Sequence, residues 1–300
     1  MFEKRIKEIS KKIGEEQLET YLILTNKKYQ RDIYFQNSKK AISFIKPRFN
    51  NNFKTIIYFL LKLGWLQPFL KKIKLSSKFG EVLYVSNQIK GFDLNKVVVI
   101  SFPFNENKKD FLRLKRFQKK ISSPGFAPKI LELNTKIPYS KEKLLRTYNT
   151  DYLSIFKRLL EFYKFIGIKK IPIKKYIAQL KKKTNDKYLI EKLNSLYKKD
   201  FKVLITTLHG DFGRENVLMK DNEIVFIDWD PYEGLITDDL IAYEKRIPKK
   251  IFDELLKLYP KEVKINFGNY MKLSKISVYL RAKLEGKSYL FFFPITNPAK

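Results

Sequence analysis

Apolar positions along this chain follow two periods, and the switch from one to the other divides it. Residues 1–13 mix charged and apolar side chains at helical spacing, and 21–24 read as a short strand before a polar stretch. Residues 53–70 (FKTIIYFLLKLGWLQPFL) are the most apolar early segment, interrupted by Lys62, Gly64 and Pro68 and too short and broken to span a bilayer. The pattern predicts a buried helix there, with a helix lying on a membrane surface as the alternative. From 75 to 104 the period shortens to two: 81–86 (EVLYVS) and 96–102 (KVVVISF) predict strands joined by a polar, glycine-containing turn. Helical spacing returns over 105–122, with Phe111, Leu114, Phe117 and Ile121 on one face, and 127–133 and 143–148 predict two further strands. Beyond them the chain turns helical. Residues 150–166 carry Leu153, Phe156, Leu160 and Tyr163 behind an N-cap residue, Thr150 or Asp151. Pro172 interrupts the pattern before a helix over 173–199, and 251–258 and 270–284 predict closing helices. Residues 288–300 form a tail in which Phe291 to Phe293 are expected to plug into a core.

The helical half is broken once, and the chemistry is concentrated there. Residues 204–240 read LITTLHGDFGRENVLMKDNEIVFIDWDPYEGLITDDL. His209-Gly210-Asp211 follows an apolar approach, and Asn216 comes five positions after Asp211. Residues 217–219 and 224–227 alternate as strands, with Asp221-Asn222 supplying turn chemistry, so the segment predicts a loop followed by a hairpin. The hairpin brings Asn216, before its first strand, near Asp228, after its second. Two carboxylates and an amide oxygen that converge are hard oxygen ligands, which suit Mg²⁺ together with substrate phosphates.

Composition narrows the chemistry. The chain has no cysteine, which removes disulfides, zinc–thiolate sites and a cysteine nucleophile. His209 is the one histidine, so a multi-histidine metal site is excluded, and its expected role is a packed support for its loop. A formal net charge of +31 draws anionic partners: nucleotide phosphates, an anionic membrane surface or nucleic acid. The lysines are spread along the chain as a solvated coat, and no single stripe marks a specific nucleic-acid groove. Residues 1–13 lack the apolar core of a signal peptide. The expected location is cytoplasmic, with peripheral attachment at the inner membrane surface as an extension.

His-Gly-Asp, four residues, Asn, and then Ile-Asp-Trp-Asp resembles the catalytic core of the aminoglycoside phosphotransferase and choline kinase-like family, a small-molecule branch of the protein-kinase-like fold. The resemblance implies a two-lobed α+β fold with a β-rich N-lobe and a mainly α-helical C-lobe. It divides the chain into an N-terminal extension, 1–74, an N-lobe, 75–148, and a C-lobe, 149–300. Carried over by position, it makes Asp211 the base that takes the acceptor hydroxyl's proton and Asn216 and Asp228 the Mg²⁺ ligands. His209 and Asp239 become supports of the loop. The implied activity is transfer of the γ-phosphoryl group of ATP, or another nucleoside triphosphate, to a hydroxyl of a small molecule such as a sugar, amino sugar or related alcohol. The nucleotide-phosphate loop is expected near 78–81, and a hinge that binds the nucleotide at Arg146, Thr147 and Tyr148.

The chain departs from the family on one strand. Kinase-like N-lobes place a lysine on the third strand to meet the α- and β-phosphates and an acidic residue of the next helix. Between Val97 and Asn107 there is no lysine; Ile100 or Ser101 takes its place, and Asp110 or Glu106 is the acidic candidate. Lys78, Lys90 and Lys96 are the cations available nearby, with Lys96 favoured because it opens the expected strand. Two alternatives follow from the departure: a catalytically inactive kinase-like protein that binds nucleotide or ligand, and a basic membrane- or nucleic-acid-associated module on a kinase scaffold.

Overall fold

A computed structural model describes residues 2–14, 17–26, 31–49, 52–86, 88–103, 108–147, 151–213, 216–241 and 247–285. The chain divides into two compact units, 1–146 and 147–300. The expected tail plug at Phe291 to Phe293, and Glu106 and Tyr148, lie outside the described residues.

The first unit is one sheet with helices on both faces. Its elements are α1 (Phe2–Ile13), β1 (Leu18–Asn26), β2 (Arg31–Gln36), α2 (Lys39–Ile45), α3 (Asn52–Lys62), β3 (Lys72–Ser76), β4 (Val82–Val85), β5 (Gln88–Asp93), β6 (Val98–Pro103), α4 (Lys108–Ser122), β7 (Ile130–Asn134) and β8 (Tyr139–Lys143). The eight strands run in the order β3-β1-β2-β4-β5-β6-β8-β7, and every pairing is antiparallel. Where the sequence reading expected a turn between 81–86 and 96–102, β5 pairs with both β4 and β6, so three strands rather than two lead into α4; the polar Gln88 and Lys90 and the glycine at 91 hide its alternation. β1 to β3 extend that same sheet.

Alternation sorts the two faces. Ile6 and Ile9 of α1 cover Tyr21, Ile23, Leu83, Ile89, Ile100 and Phe102 on one side. On the other, Ala41, Ile42 and Ile45 of α2 and Leu61 of α3 pack with Leu22, Phe35, Val82 and Phe92. Register places Val99 opposite Glu142 and Ile100 opposite Lys141, so Glu142 stands on the side away from α1, where Lys115 and Gln118 of α4 reach it.

Several differences from the sequence reading have physical causes. β8 begins at Tyr139 rather than 143 because its inward positions are Ser140 and Glu142, polar residues that hide the alternation. The segment expected as a buried helix over 53–70 is helical only to Lys62 and buries one face, through Leu61. Phe79 is fully buried and the Gly80 carbonyl accepts Tyr21 Oη, so the turn expected to hold phosphate is a packed turn of the core. A Cβ on Gly80 would lie 2.4 Å from the Phe92 carbonyl oxygen, which is what this glycine avoids.

A two-residue strand, β9 (Arg146–Thr147), precedes the second unit. There α5 (Tyr152–Ile166) starts at Asp151, whose side chain accepts from Ser154 N at 2.9 Å. β10 (Lys169–Pro172) follows, and the helix expected over 173–199 is two, α6 (Ile173–Lys181) and α7 (Lys187–Tyr197), because Asp186 caps the second. β11 (Lys202–Leu208), the hairpin β12 (Val217–Lys220) and β13 (Glu223–Phe226), and β14 (Tyr232–Leu235) come next. The last helices are α8 (Lys249–Leu258), α9 (Lys261–Ile265) and α10 (Phe267–Leu284). β11 pairs with both β10 and β14, and that three-stranded sheet carries the loop that follows β11. Among the described residues no helix is long and apolar enough to cross a membrane.

Candidate active site

β11 ends at Leu208 and delivers His209-Gly210-Asp211 into a loop tied to the chain after β13 by backbone bonds. Asp230 N donates to the His209 carbonyl at 3.0 Å, and Ile227 N donates to the Asn216 carbonyl at 2.9 Å. The hairpin closes through Asp221 and Asn222, both at positive φ, as its turn chemistry predicts. Gly210 sits at φ +87°, and a Cβ there would lie 1.9 Å from the Asp230 carbonyl oxygen, so only glycine lets the two segments approach.

The supports of this loop are buried. His209 is fully buried among Phe212, Phe226 and Trp229, its ring centroid 4.4 Å from that of Trp229. Asp211 N donates to Nδ1 at 3.4 Å, which makes Nε2 the protonated nitrogen, donating to the Ile227 carbonyl at 2.9 Å. Burial pulls the imidazole down to about 4, only partly offset by the Ile227 bond, so His209 is neutral and serves as a brace. Asp239, just after β14, accepts from His209 N at 2.9 Å, from Gly210 N at 3.3 Å and from Tyr163 Oη at 2.7 Å. Burial raises its carboxyl while these donors pull it back. Its neighbour Asp238 is also buried and is raised to about 7, chiefly by burial; Ser277 Oγ donates to it at 3.0 Å.

One brace carries no motif in the sequence. Arg281 of α10 donates through Nη1 to the Gly210 carbonyl at 2.8 Å, and through Nη2 to Asp230 Oδ2 at 2.6 Å and the Asp230 carbonyl at 3.2 Å. Its guanidinium lies 3.9 Å from the Tyr232 ring centroid. In the sequence Arg281 is one basic residue on a helix that also carries Lys272, Lys275 and Lys283, and nothing sets it apart.

Above these supports the chemical groups are accessible. Asp211 and Asp228 are exposed, and Asp228 holds φ 57°, a left-handed conformation that aspartate tolerates better than most residues. Asn216 is buried and donates through Nδ2 to the Asp211 carbonyl at 2.7 Å and to Asp211 Oδ2 at 3.4 Å, so its amide oxygen is the end that Asp211 does not use. Among the described residues no group of three or more His, Cys, Asp or Glu side chains could hold a metal. One carboxylate and one amide oxygen still fit Mg²⁺, which keeps several waters and takes phosphate oxygens instead of a full protein cage.

The first unit shows where the sheet's cations stand. Lys78 Nζ donates to the Ile13 carbonyl at 2.9 Å. Lys96 lies in the turn before β6, 80% exposed and 3.5 Å from Asp93. Both line a cavity of about 510 Å³ with Val98, Ile100 and Phe102, on the α1 side of the sheet. Lys90 differs: it pairs in register with Ser101 and shares the α4 side with Glu142. There Lys115 of α4 donates to Glu142 at 2.6 Å and Gln118 donates at 2.7 Å. Burial pushes Glu142 up, but Lys115, Gln118 and Lys90 together hold it below the usual carboxylate range. This ion pair joins an acid on β8 to a lysine on α4, so β6, the strand expected to carry a lysine, contributes neither partner. Asp110, the acidic candidate, is instead 3.7 Å from Arg113 on its own helix. Arg146 and Thr147 form β9.

No protein-family model and no curated protein sequence matches the chain. Solved structures similar to it include a macrolide 2′-phosphotransferase from Brachybacterium faecium, at 14% identity over 67% of this chain and 84% of that one, TM-score 0.46. A choline kinase from Streptococcus pneumoniae is similar at 14% identity over 68% and 84%, TM-score 0.44. A choline/ethanolamine kinase family protein from Mesorhizobium loti is similar at 13% identity over 68% and 76%, TM-score 0.42. The strand order of the first unit and the loop, hairpin and aspartate of the mainly helical second unit give the chain an α+β fold of the protein-kinase-like type.

Proposed function

We propose that this protein is a phosphotransferase that moves the γ-phosphoryl group of ATP, or another nucleoside triphosphate, to a hydroxyl of a small molecule. The observation that carries the reading is the division of labour around one loop. Asp239, His209 and Arg281 are spent on fixing its backbone, while Asp211 and Asp228, the two carboxylates in the motif's working positions, remain accessible. In this class catalysis is mostly positioning and charge neutralisation, so a rigid loop bearing short side chains suffices.

Asp211 accepts the proton of the acceptor hydroxyl as that oxygen bonds to the γ-phosphorus and the bond to the bridging oxygen breaks, leaving the nucleoside diphosphate. Asn216 orients Asp211 through its Nδ2 and, with Asp228, would hold Mg²⁺. When bound, Mg²⁺ neutralises phosphate charge. Arg146, Thr147 and Tyr148 are assigned to the nucleotide. Lys90 is assigned the place of the missing strand lysine in preference to Lys96, because it shares a face with Ser101 and α4. His-Gly-Asp with Asp-Trp favours a sugar, amino sugar or related alcohol as acceptor over a protein.

Asp211→Asn tests the reading with radiolabelled ATP and a panel of small hydroxyl compounds. Transfer should be abolished while Mg-nucleotide affinity stays within a few-fold, because this residue addresses the acceptor. Turnover equal to wild type would remove Asp211 from the mechanism. The absence of a lysine from β6, with Lys115 of α4 engaged by Glu142, favours a second reading, a kinase-like protein that binds nucleotide without turnover. Tight Mg-ATP binding with no transfer by wild type to any acceptor would select it.

A further inference from the structure

Among the described residues, the outer face of α3 is apolar and exposed. Ile56, Phe59 and Leu63 fall at helical spacings of three and four, and they are 59%, 57% and 51% exposed. Trp65 and Phe69, just beyond the helix, are 68% and 84% exposed. The opposite face, through Leu61 and Tyr58, packs against the sheet, so the helix cannot turn its apolar stripe inward. Exposed apolar residues elsewhere among the described residues are scattered singly along the sequence; here five fall within 14 residues. Concentration of this kind marks a binding surface.

Charge indicates what binds. Residues 33–80 contain ten Lys or Arg and no Asp or Glu, whereas the whole chain has 62 and 31. Around the patch, Lys62 and Lys72 are exposed, while Lys71 is held by Glu3 of α1 at 2.5 Å. A second copy of the same surface would set these cations against each other, which disfavours self-association. An anionic bilayer satisfies both features: lysines meet lipid phosphates, and Trp, Phe and Leu side chains enter the boundary between headgroups and acyl chains.

We propose that the α3 face, Ile56 to Phe69, is a membrane-docking surface that inserts Phe59, Trp65 and Phe69 into the interface of an anionic bilayer. The proposal is independent of the phosphotransfer reading. It also differs from attraction by a lysine coat alone, which would hold the protein at the surface without inserting anything.

The test uses the full chain and vesicles of phosphatidylglycerol and phosphatidylcholine, with brominated acyl chains in one series. The chain has two tryptophans, and Trp229 is only 7% exposed, so bromine quenching reports on Trp65. Wild type should bind, show quenching, and bind at least tenfold more weakly to pure phosphatidylcholine. The triple variant Phe59→Ser, Trp65→Ser, Phe69→Ser should bind anionic vesicles at least tenfold more weakly while keeping its urea midpoint, since all three side chains are exposed. The double variant Lys62→Ala, Lys72→Ala should lose about twenty-fivefold, at about fivefold per lysine near an anionic surface. Trp65→Phe should bind without quenching. Anionic binding that the triple variant retains, or wild-type binding without quenching, would reduce the interaction to the charge coat and overturn the proposal. So would a wild-type dimer in sedimentation that the triple variant converts to monomer with vesicle binding unchanged.

Discussion

Arg281→Met removes a side chain that ties α10 to both Gly210 and Asp230, and its cost can be worked from the contacts. The guanidinium bonds the Gly210 carbonyl at 2.8 Å and Asp230 Oδ2 at 2.6 Å. The first is a hydrogen bond from a charged donor to a partly buried carbonyl, a contact worth about 1.5–3 kcal/mol. Asp230's side chain is 43% exposed, so water takes up much of the second loss, and the ion pair is counted at about 0.5–1 kcal/mol. Stacking on Tyr232 adds about 0.5–1 kcal/mol, while methionine retains the apolar stem. Urea unfolding should therefore show a loss of about 3 kcal/mol with an unchanged slope. Lysine keeps the charge but lacks the planar fork, so Arg281→Lys should recover only about 1 kcal/mol of it. In turnover assays both variants should lose rate far more than nucleotide affinity, by up to about 100-fold for a 1 Å displacement of Asp211. A loss below about 1 kcal/mol in Arg281→Met, or a lysine variant as stable as wild type, would refute the clamp.

Asp228→Asn should weaken nucleotide binding only when Mg²⁺ is present, because the lost charge acts through the ion; calorimetry with and without EDTA compares the two. Lys90→Met should cost about 1.5–3 kcal/mol of ATP affinity, the range for a hydrogen bond to a charged group, with Lys78→Met and Lys96→Met near wild type. Lys90→Met binding ATP as wild type would return the cation to another lysine. Two buried groups titrate in opposite senses. His209's share of stability, about 3 kcal/mol, is complete above pH 6.5 and lost as pH falls toward about 4. Asp238's share, about 4 kcal/mol, is complete below pH 3.8 and lost as pH rises through about 7. Between pH 4 and 7 the two nearly cancel, so urea midpoints of Asp238→Asn should climb with pH, and those of His209→Gln should decline, relative to wild type.

What the sequence determined by itself was local. The spacing of His209, Asp211, Asn216 and Asp228 is carried within twenty residues, and a hairpin closed by Asp221 and Asn222 is a short-range structure whose register follows from turn chemistry and alternation. In the first unit β4, β6 and α4 were also legible, because period-2 and period-3.6 patterns report directly which face is buried, whereas β5 was read as a turn because Gly91 and polar neighbours interrupt its alternation. Polar residues turned inward were not. β8 was expected to start at 143 rather than 139 because Ser140 and Glu142 face the interior, and Glu142 is stable there only because Lys115 and Gln118 arrive from another element. The same limit applies to Arg281: its partners Gly210 and Asp230 are 71 and 51 positions away, and no local pattern encodes that distance. The choice among Lys78, Lys90 and Lys96 was likewise a question of sheet register. Alternation puts Lys96 on a face with Val98 and Ile100, but only the pairing of β5, β6 and β8, with α4 laid across one side, says which face that is. Tertiary structure decides such matters because a side chain's environment is set by the elements packed against it, and these are brought together by burial of the whole core rather than by their neighbours in the chain.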